Sequence, residues 1–233
     1  MSVHAQHSRT RRDVLVTIAA LAFLLAWEVS GLDLTVAGWF ADAAGFAARE
    51  AWWSRHLLHD GGRWLAGVAL LAVTLGALAR DKGQAMPRRT RLAWLLVVLV
   101  ALVLVPALKR FSHSSCPWDL LAFGGSVPYV PHWLLGVVDG GPGHCFPSGH
   151  AVAAFAFLPL YFQWRVQRPA LARGILTAVL LAGTLFGWAQ LARGAHFPSH
   201  TLWSAWLCWV VGCVAARTLD SHYAKLAGSG SSA

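Results

Sequence analysis

Six apolar runs, separated by short polar or basic stretches, divide this chain. They cover about Val14–Leu32, Arg63–Ala79, Leu92–Leu108, Pro147–Trp164, Gly174–Ala192 and Thr201–Ala216. Each approaches or reaches the ~18–20 residues that a helix needs to cross a bilayer. The pattern therefore predicts an all-α polytopic membrane protein with six transmembrane helices, both termini on one side. Between the first two runs, Trp39–Leu58 mixes apolar and charged residues, with Trp52, Trp53, Leu57 and Leu58 on or near one face. That stretch predicts an amphipathic segment lying on the membrane in the first outer loop. Residues 120–144 are rich in Gly and Pro and predict a structured external loop. The organisation that follows is a cytoplasmic tail at 1–13, a six-span domain at 14–226 and a flexible Gly/Ser tail at 227–233.

Composition agrees with this division. The chain has 233 residues, 57% of them hydrophobic and 12% charged, about half the charged share of a soluble domain. Mean hydropathy is +0.53. The net charge of +9 does not mark a nucleic-acid binder, because the basic residues fall between the apolar runs, where they set topology. Residues 1–13, 80–91 and 165–173 and the C-terminal segment hold most of the Lys and Arg. Those segments are predicted to face the cytoplasm. Arg9, Arg11 and Arg12 precede the first run as in a signal peptide, but no convincing small-residue cleavage site follows, so the run reads as a retained anchor.

Topology then gathers the polar clusters. Lys109–Asp119, Pro147–His150 and Arg193–His200 all fall on the outer face. Pro-Ser-Gly-His at 147–150 leads straight into an apolar run. Proline suits a first helical turn, glycine permits close backbone approach, and free N–H groups at a helix start attract anions. Lys109, Arg110 and Arg193 add cations, and His150, His196 and His200 add proton carriers. Phosphoryl transfer needs cations and donors around the phosphoryl oxygens, an in-line nucleophile and an acid for the leaving group. Histidine can be the nucleophile if a neighbour holds its other ring nitrogen, and a second histidine can be the acid.

These clusters, in this order, resemble the signature of the type 2 phosphatidic acid phosphatase superfamily, written K-x6-R-P, P-S-G-H and S-R-x5-H-x3-D. The middle part matches fully at Pro147–His150. The first matches at Lys109 and Pro117, with Cys116 at the usual Arg. The third matches at His196, with Ala189-Gln190 at the usual Ser-Arg pair and His200 at the usual Asp. The resemblance implies that His196 attacks phosphorus and His150 protonates the leaving oxygen. It implies that Lys109, Ser148 (backbone and hydroxyl) and Gly149 hold the phosphate, with no metal and no cofactor.

The departures have candidate substitutes. Arg193, one helical turn after Gln190, and Arg110 stand near the missing arginines, and His200 is placed to fix the tautomer of His196, with Asp119 as a rival carboxylate. Cys116 and Cys145 lie in the first motif and just before the second. On an oxidising face they form a possible disulfide that accounts for the lost Arg. Cys208 and Cys213 read as packing residues within the last span. His56, His59, His113, His132 and His144 read as surface or loop histidines, although His113 lies within the first motif. His196 and His200 have i, i+4 spacing, yet no Glu follows His196 as a zinc-protease pattern requires.

The resulting expectation is a metal-independent lipid phosphatase of a bacterial-type inner membrane. It would hydrolyse a phosphomonoester or diphosphate of a lipid at the periplasmic face through a phosphohistidine. The partners are a phosphorylated membrane lipid and the bilayer, with no nucleic acid. Candidate lipids are undecaprenyl diphosphate, phosphatidylglycerol phosphate, phosphatidic acid and lipid A phosphates. Two alternatives remain open at this stage: a lipid phosphotransferase using the same phosphohistidine, and a catalytically silent lipid-phosphate-binding relative.

Overall fold

The computed structural model describes residues 3–42, 44–134 and 136–229. Its order is α1 (Val3–Ser30), α2 (Leu32–Gly38), a two-stranded hairpin of β1 (Ala41–Asp42) and β2 (Gly45–Phe46), α3 (Trp53–Leu78), α4 (Arg88–Lys109), α5 (Val152–Phe155), α6 (Pro159–Trp164), α7 (Pro169–Ala192) and α8 (Pro198–Ser229). Residues 230–233 of the Gly/Ser tail lie outside the described residues.

Among the described residues, five helical stretches are long and apolar enough to cross a membrane: Gln6–Ser30, Trp53–Leu78, Arg88–Lys109, Pro169–Ala192 and Pro198–Leu219. The fourth predicted span is different. It is the short pair α5 and α6, broken before Pro159 and buried almost throughout. Proline at the first position of α6 lacks an N–H and restarts the helix at no hydrogen-bond cost. An apolar run looks the same in sequence whether it faces lipid or protein, and this one faces protein. Val152, Phe155, Ala156 and Leu158 pack against Ala101 and Val105 of α4 and Cys208 of α8.

Although short, α5–α6 joins opposite ends of the bundle. Its start, His150, adjoins Lys109 at the end of α4. Past its end, Arg165 pairs with Asp13 near the start of α1 at 2.5 Å, and Arg12 donates to the Tyr161 hydroxyl at 2.8 Å. Buried opposite charges that satisfy each other fix which helix ends meet. The outward helix faces are apolar, as in Trp64, Leu65, Val68, Leu71 and Leu75 along α3. A contiguous exposed face of this kind suits lipid rather than water.

Small residues let the inner helices approach. On α7, a Cβ at Gly183 would stand 2.2 Å from the Phe155 ring, and one at Gly187 would stand 2.4 Å from Thr201. This Gly-x-x-x-Gly spacing presents a flat strip to α5 and α8.

The predicted amphipathic segment also changes form. Residues 39–58 comprise the turn after α2, the hairpin, a short link and the start of α3. The second long helix begins at Trp53, ten residues before Arg63, with a π-wound turn over Trp53–Asp60. Trp53 stacks on Trp188 of α7 at 5.6 Å, which draws this turn against the bundle. Its His59 and Asp60 thereby join the polar end of the molecule.

Candidate active site

Four segments converge at that end. Lys109 is the last residue of α4, Ser148–His150 lead into α5, Arg193 and His196 lie at and beyond the end of α7, and His200 is in the first turn of α8. Main-chain bonds sew the segments together. Ser148 N–H donates to His200 O (3.1 Å), Trp118 N–H to Gly194 O (2.9 Å), and Cys145 N–H to Ser114 O (3.0 Å). The Gly/Pro-rich loop is anchored by buried Asp139, which accepts from Ser115 N–H at 2.7 Å and its hydroxyl at 2.9 Å. A disulfide joins Cys116 to Cys145, with Cα atoms 5.2 Å apart, and ties the Lys109 loop to the Pro-Ser-Gly-His turn. Gly194 has φ +71°, and a Cβ there would be 2.3 Å from the Phe46 ring. Only glycine fits this turn, which aims His196 inward.

The imidazoles of His150 and His196 lie 6.4 Å apart between ring centroids. Lys109 lies against the turn: its Nζ would be 3.8 Å from a Cβ placed on Gly149. Ser148 is fully buried, and its hydroxyl has no hydrogen-bond partner. The expected anion donor at the Ser148 backbone is already committed to His200 O, so the hydroxyl is the available group. His196 is 2% exposed, and its Nδ1 stands 3.6 Å from the Cys145 sulfur.

Electrostatics keeps both imidazoles neutral. Burial, with His59, Lys109, Arg193 and Arg63 adding positive charge, holds His150 down at about 3. Burial, with Lys109, His200 and His150, holds His196 well below 6.5. Desolvation and neighbouring cations both disfavour a charged ring. A phosphate dianion placed among these cations reverses that field and lets His150 take up a proton.

His200 lies 5.7 Å from His196 between centroids, and its buried Nδ1 has no hydrogen-bond partner. Its contact with His196 is therefore ring against ring, with no hydrogen bond from that nitrogen. Asp119 is engaged locally, accepting from Cys116 N–H at 3.2 Å. Gln190 is buried, and its carbonyl accepts the N–H groups of Ala195 and His196 at 2.8 and 3.3 Å. Arg193 donates to Arg49 O at 3.1 Å while facing His150 electrostatically. Arg110 is exposed at the end of α4. One ring nitrogen each of His196 and His200 and the Cys145 sulfur fall within 4.8 Å of one another. That sulfur is disulfide-bonded and is not a thiolate, so the trio is a poor metal donor set.

Two histidines read as surface or loop residues make ring contacts with the site histidines. His59 lies against His150 with centroids 3.9 Å apart, and its Nδ1 bonds Asp60 at 2.9 Å. His132 pairs through Nε2 with Glu28 at 3.1 Å, both side chains under 10% exposed. Arg63, placed at a span end by the apolar pattern, faces His150 as well. The i, i+4 spacing of His59 and Arg63 on one helix face was the available signal. His132 gave none. On the helix that carries His200, Asp33 accepts from the backbone N–H (3.0 Å) and the hydroxyl of Ser199, and from Trp27 Nε1 at 2.8 Å.

A helical bundle with apolar outer faces and a buried pair of histidines among cations at one end is the arrangement to be placed among known proteins. The chain belongs to the PAP2 superfamily, whose family model matches residues 90–223. Among solved structures it is similar to the transmembrane PAP2-type phosphatidylglycerolphosphate phosphatase from Bacillus subtilis. That likeness has 16% identity and a TM-score of 0.55, and covers 88% of this chain and 96% of the other. At that identity the likeness speaks for the fold. No curated protein sequence matches the chain.

Proposed function

We propose that this protein is a lipid-phosphate phosphatase working through a phosphohistidine at His196. The convergence of Lys109, Ser148, His150 and His196 in one buried site carries the reading. Nε2 of His196 attacks phosphorus, and the bond from phosphorus to the lipid oxygen breaks. His150, protonated once the phosphate has entered, gives its proton to the leaving oxygen. Water then attacks the phosphohistidine, His150 takes a proton from that water, and the P–N bond breaks to release phosphate. Lys109, Arg193 and the Ser148 hydroxyl balance charge on the phosphoryl oxygens.

A groove of about 460 Å³ beside the Pro-Ser-Gly-His turn supports a lipid substrate. It is lined by Leu108, Phe111, Trp133, Val137, Phe146 and Trp203, and it suits an apolar chain whose headgroup reaches Ser148. The α5–α6 stretch completes a sixth passage of the bundle in this reading, with both termini cytoplasmic and the site periplasmic. The scarcity of Lys and Arg in the loops at the site end, relative to the opposite end, favours that orientation. The bilayer is the inner membrane, and no metal takes part.

The test is a panel of phosphorylated lipids in detergent: phosphatidylglycerol phosphate, phosphatidic acid, undecaprenyl diphosphate and lipid A. Stoichiometric free phosphate, abolished by His196→Ala and unaffected by EDTA, is the expected result. Phosphate appearing on a second lipid instead would indicate a transferase. Failure to turn over any of the four, with H196A indistinguishable, would leave a binding protein.

A further inference from the structure

His196 needs its Nδ1–H held if Nε2 is to attack, and what stands behind it is Cys145, whose backbone bonds the ring and whose disulfide sulfur lies 3.6 Å from Nδ1: partners without charge. The family's carboxylate is replaced by His200, which is itself buried with Nδ1 unpartnered. Two neutral imidazoles in sequence supply no anion. An anion nevertheless stands one ring further on. The side chain of Glu28, on the last turns of α1, is 5% exposed and accepts from His132 Nε2 at 3.1 Å and from Trp203 Nε1 at 2.7 Å. Its second oxygen, Oε2, is buried without a partner. An ionisable side chain buried within a membrane-spanning helix is costly and calls for a reason.

The ring between Glu28 and His200 is held firmly. His132 stacks on Phe146 at 3.8 Å, with planes 13° apart, and meets His200 edge to face at 5.7 Å and Trp203 at 6.4 Å. Trp203 lies three residues after His200, on the same face of α8, so one helix turn presents both partners to the same pair. Phe146 adjoins the Pro-Ser-Gly-His turn. The other nearby carboxylate, Asp33, is already committed to Ser199 and Trp27. Tyr129 also faces Glu28.

We infer that Glu28 and His132 are positioning residues for the nucleophile: the carboxylate orients His132, His132 orients His200 across their edge contact, and His200 orients His196. The pair restores at a distance the anion that the His200 substitution removed. This inference rests on His196 being the nucleophile of a phosphatase.

The experiment is a set of crossed substitutions in the full-length detergent-purified protein, assayed on the panel lipid it hydrolyses fastest. E28Q and H132Q are each expected to lower kcat by about 10–100-fold with KM little changed, as losses of a ligand-orienting partner do. In a His200→Asp background, where a carboxylate touches His196 directly, the same substitutions are expected to cost less than about threefold. Equal losses in both backgrounds, or a rise in KM with kcat intact, would overturn the relay and leave Glu28 a scaffold residue. H132Q reads the same relay if E28Q does not fold. Should wild-type protein hydrolyse none of the lipids, the phosphatase reading fails separately. The relay is then read in ¹⁵N-histidine spectra of wild type, E28Q and H132Q. His200 ring signals that move in either folded variant support it, and unmoved signals reject it.

Discussion

The Lys109 ammonium stands 3.8 Å from where a Cβ on Gly149 would lie, so the lysine and the glycine share one small space in front of His150. A methyl group there meets Lys109 at ordinary contact distance and strains nothing. Gly149→Ala is therefore expected to fold normally and to crowd the phosphate, raising KM. Lys109→Ala removes the charge and is expected to lower kcat/KM by about 10²–10³, the cost of losing a donor to developing charge. Thermal unfolding alongside phosphate release separates the two effects.

The acid limb of activity should be displaced. His150 sits at about 3, chiefly from burial, and His196 is well below 6.5. The free protein thus keeps a neutral nucleophile where an exposed histidine would be charged. The kcat/KM profile is expected to hold up below pH 6.5, and an acid limb centred on 6.5 would contradict this.

Stability should move with the same groups. Below about 6.5 the unfolded chain protonates both histidines while the folded protein leaves them neutral. The unfolded state binds more protons, so stability is fully present above that pH and falls as pH drops toward 3. Through His150 alone, each unit across the window costs ~1.4 kcal/mol. Unfolding midpoints in detergent at pH 7.5, 6 and 5 check the sign, and H150F is expected to flatten the slope.

Loss of the Cys116–Cys145 link should act on the site as well as the fold. The bond closes a separation of 29 residues and forms the wall behind His196. In the chain-entropy picture it stabilises by about 3–4 kcal/mol. C116S/C145S is expected to lower the unfolding midpoint and, at temperatures where it stays folded, to lower kcat. Non-reducing mass spectrometry of wild-type protein should find neither thiol free.

Asp33 holds the start of α8 through the N–H and hydroxyl of Ser199. Asp33→Ala removes that cap, with an expected cost of ~1–2 kcal/mol. Because His200 is the next residue, kcat is also expected to fall. An equal midpoint to wild type would show the cap to be dispensable.

Much of the site could be read from residue order. Lys109, His150 and His196 stand at motif spacing, and counting apolar runs placed them at one end. The paired cysteines were visible for the same reason. The apolar runs could not say that the one from Pro147 to Trp164 is a broken interior element, because hydrophobicity reports exclusion from water and not whether lipid or protein excludes it. Nor could they say that His59 and Arg63 enter the site, since that depends on the π-wound turn docking on α7.

The contrast is sharpest at residues 148, 132 and 28. The motif gives Ser148 as an expected phosphate contact, yet only the fold shows that its N–H is taken by His200 and its hydroxyl has no partner. His132 and Glu28 are 104 positions apart in a Gly/Pro-rich loop and an apolar helix, and neither segment refers to the other. Local pattern fixes which residues are apolar, charged or able to turn, because those are properties of each side chain and its near neighbours. Which buried charge meets which ring is decided when separate helices close on one another, because the cost of an unpaired polar group is then set by what the other helix brings.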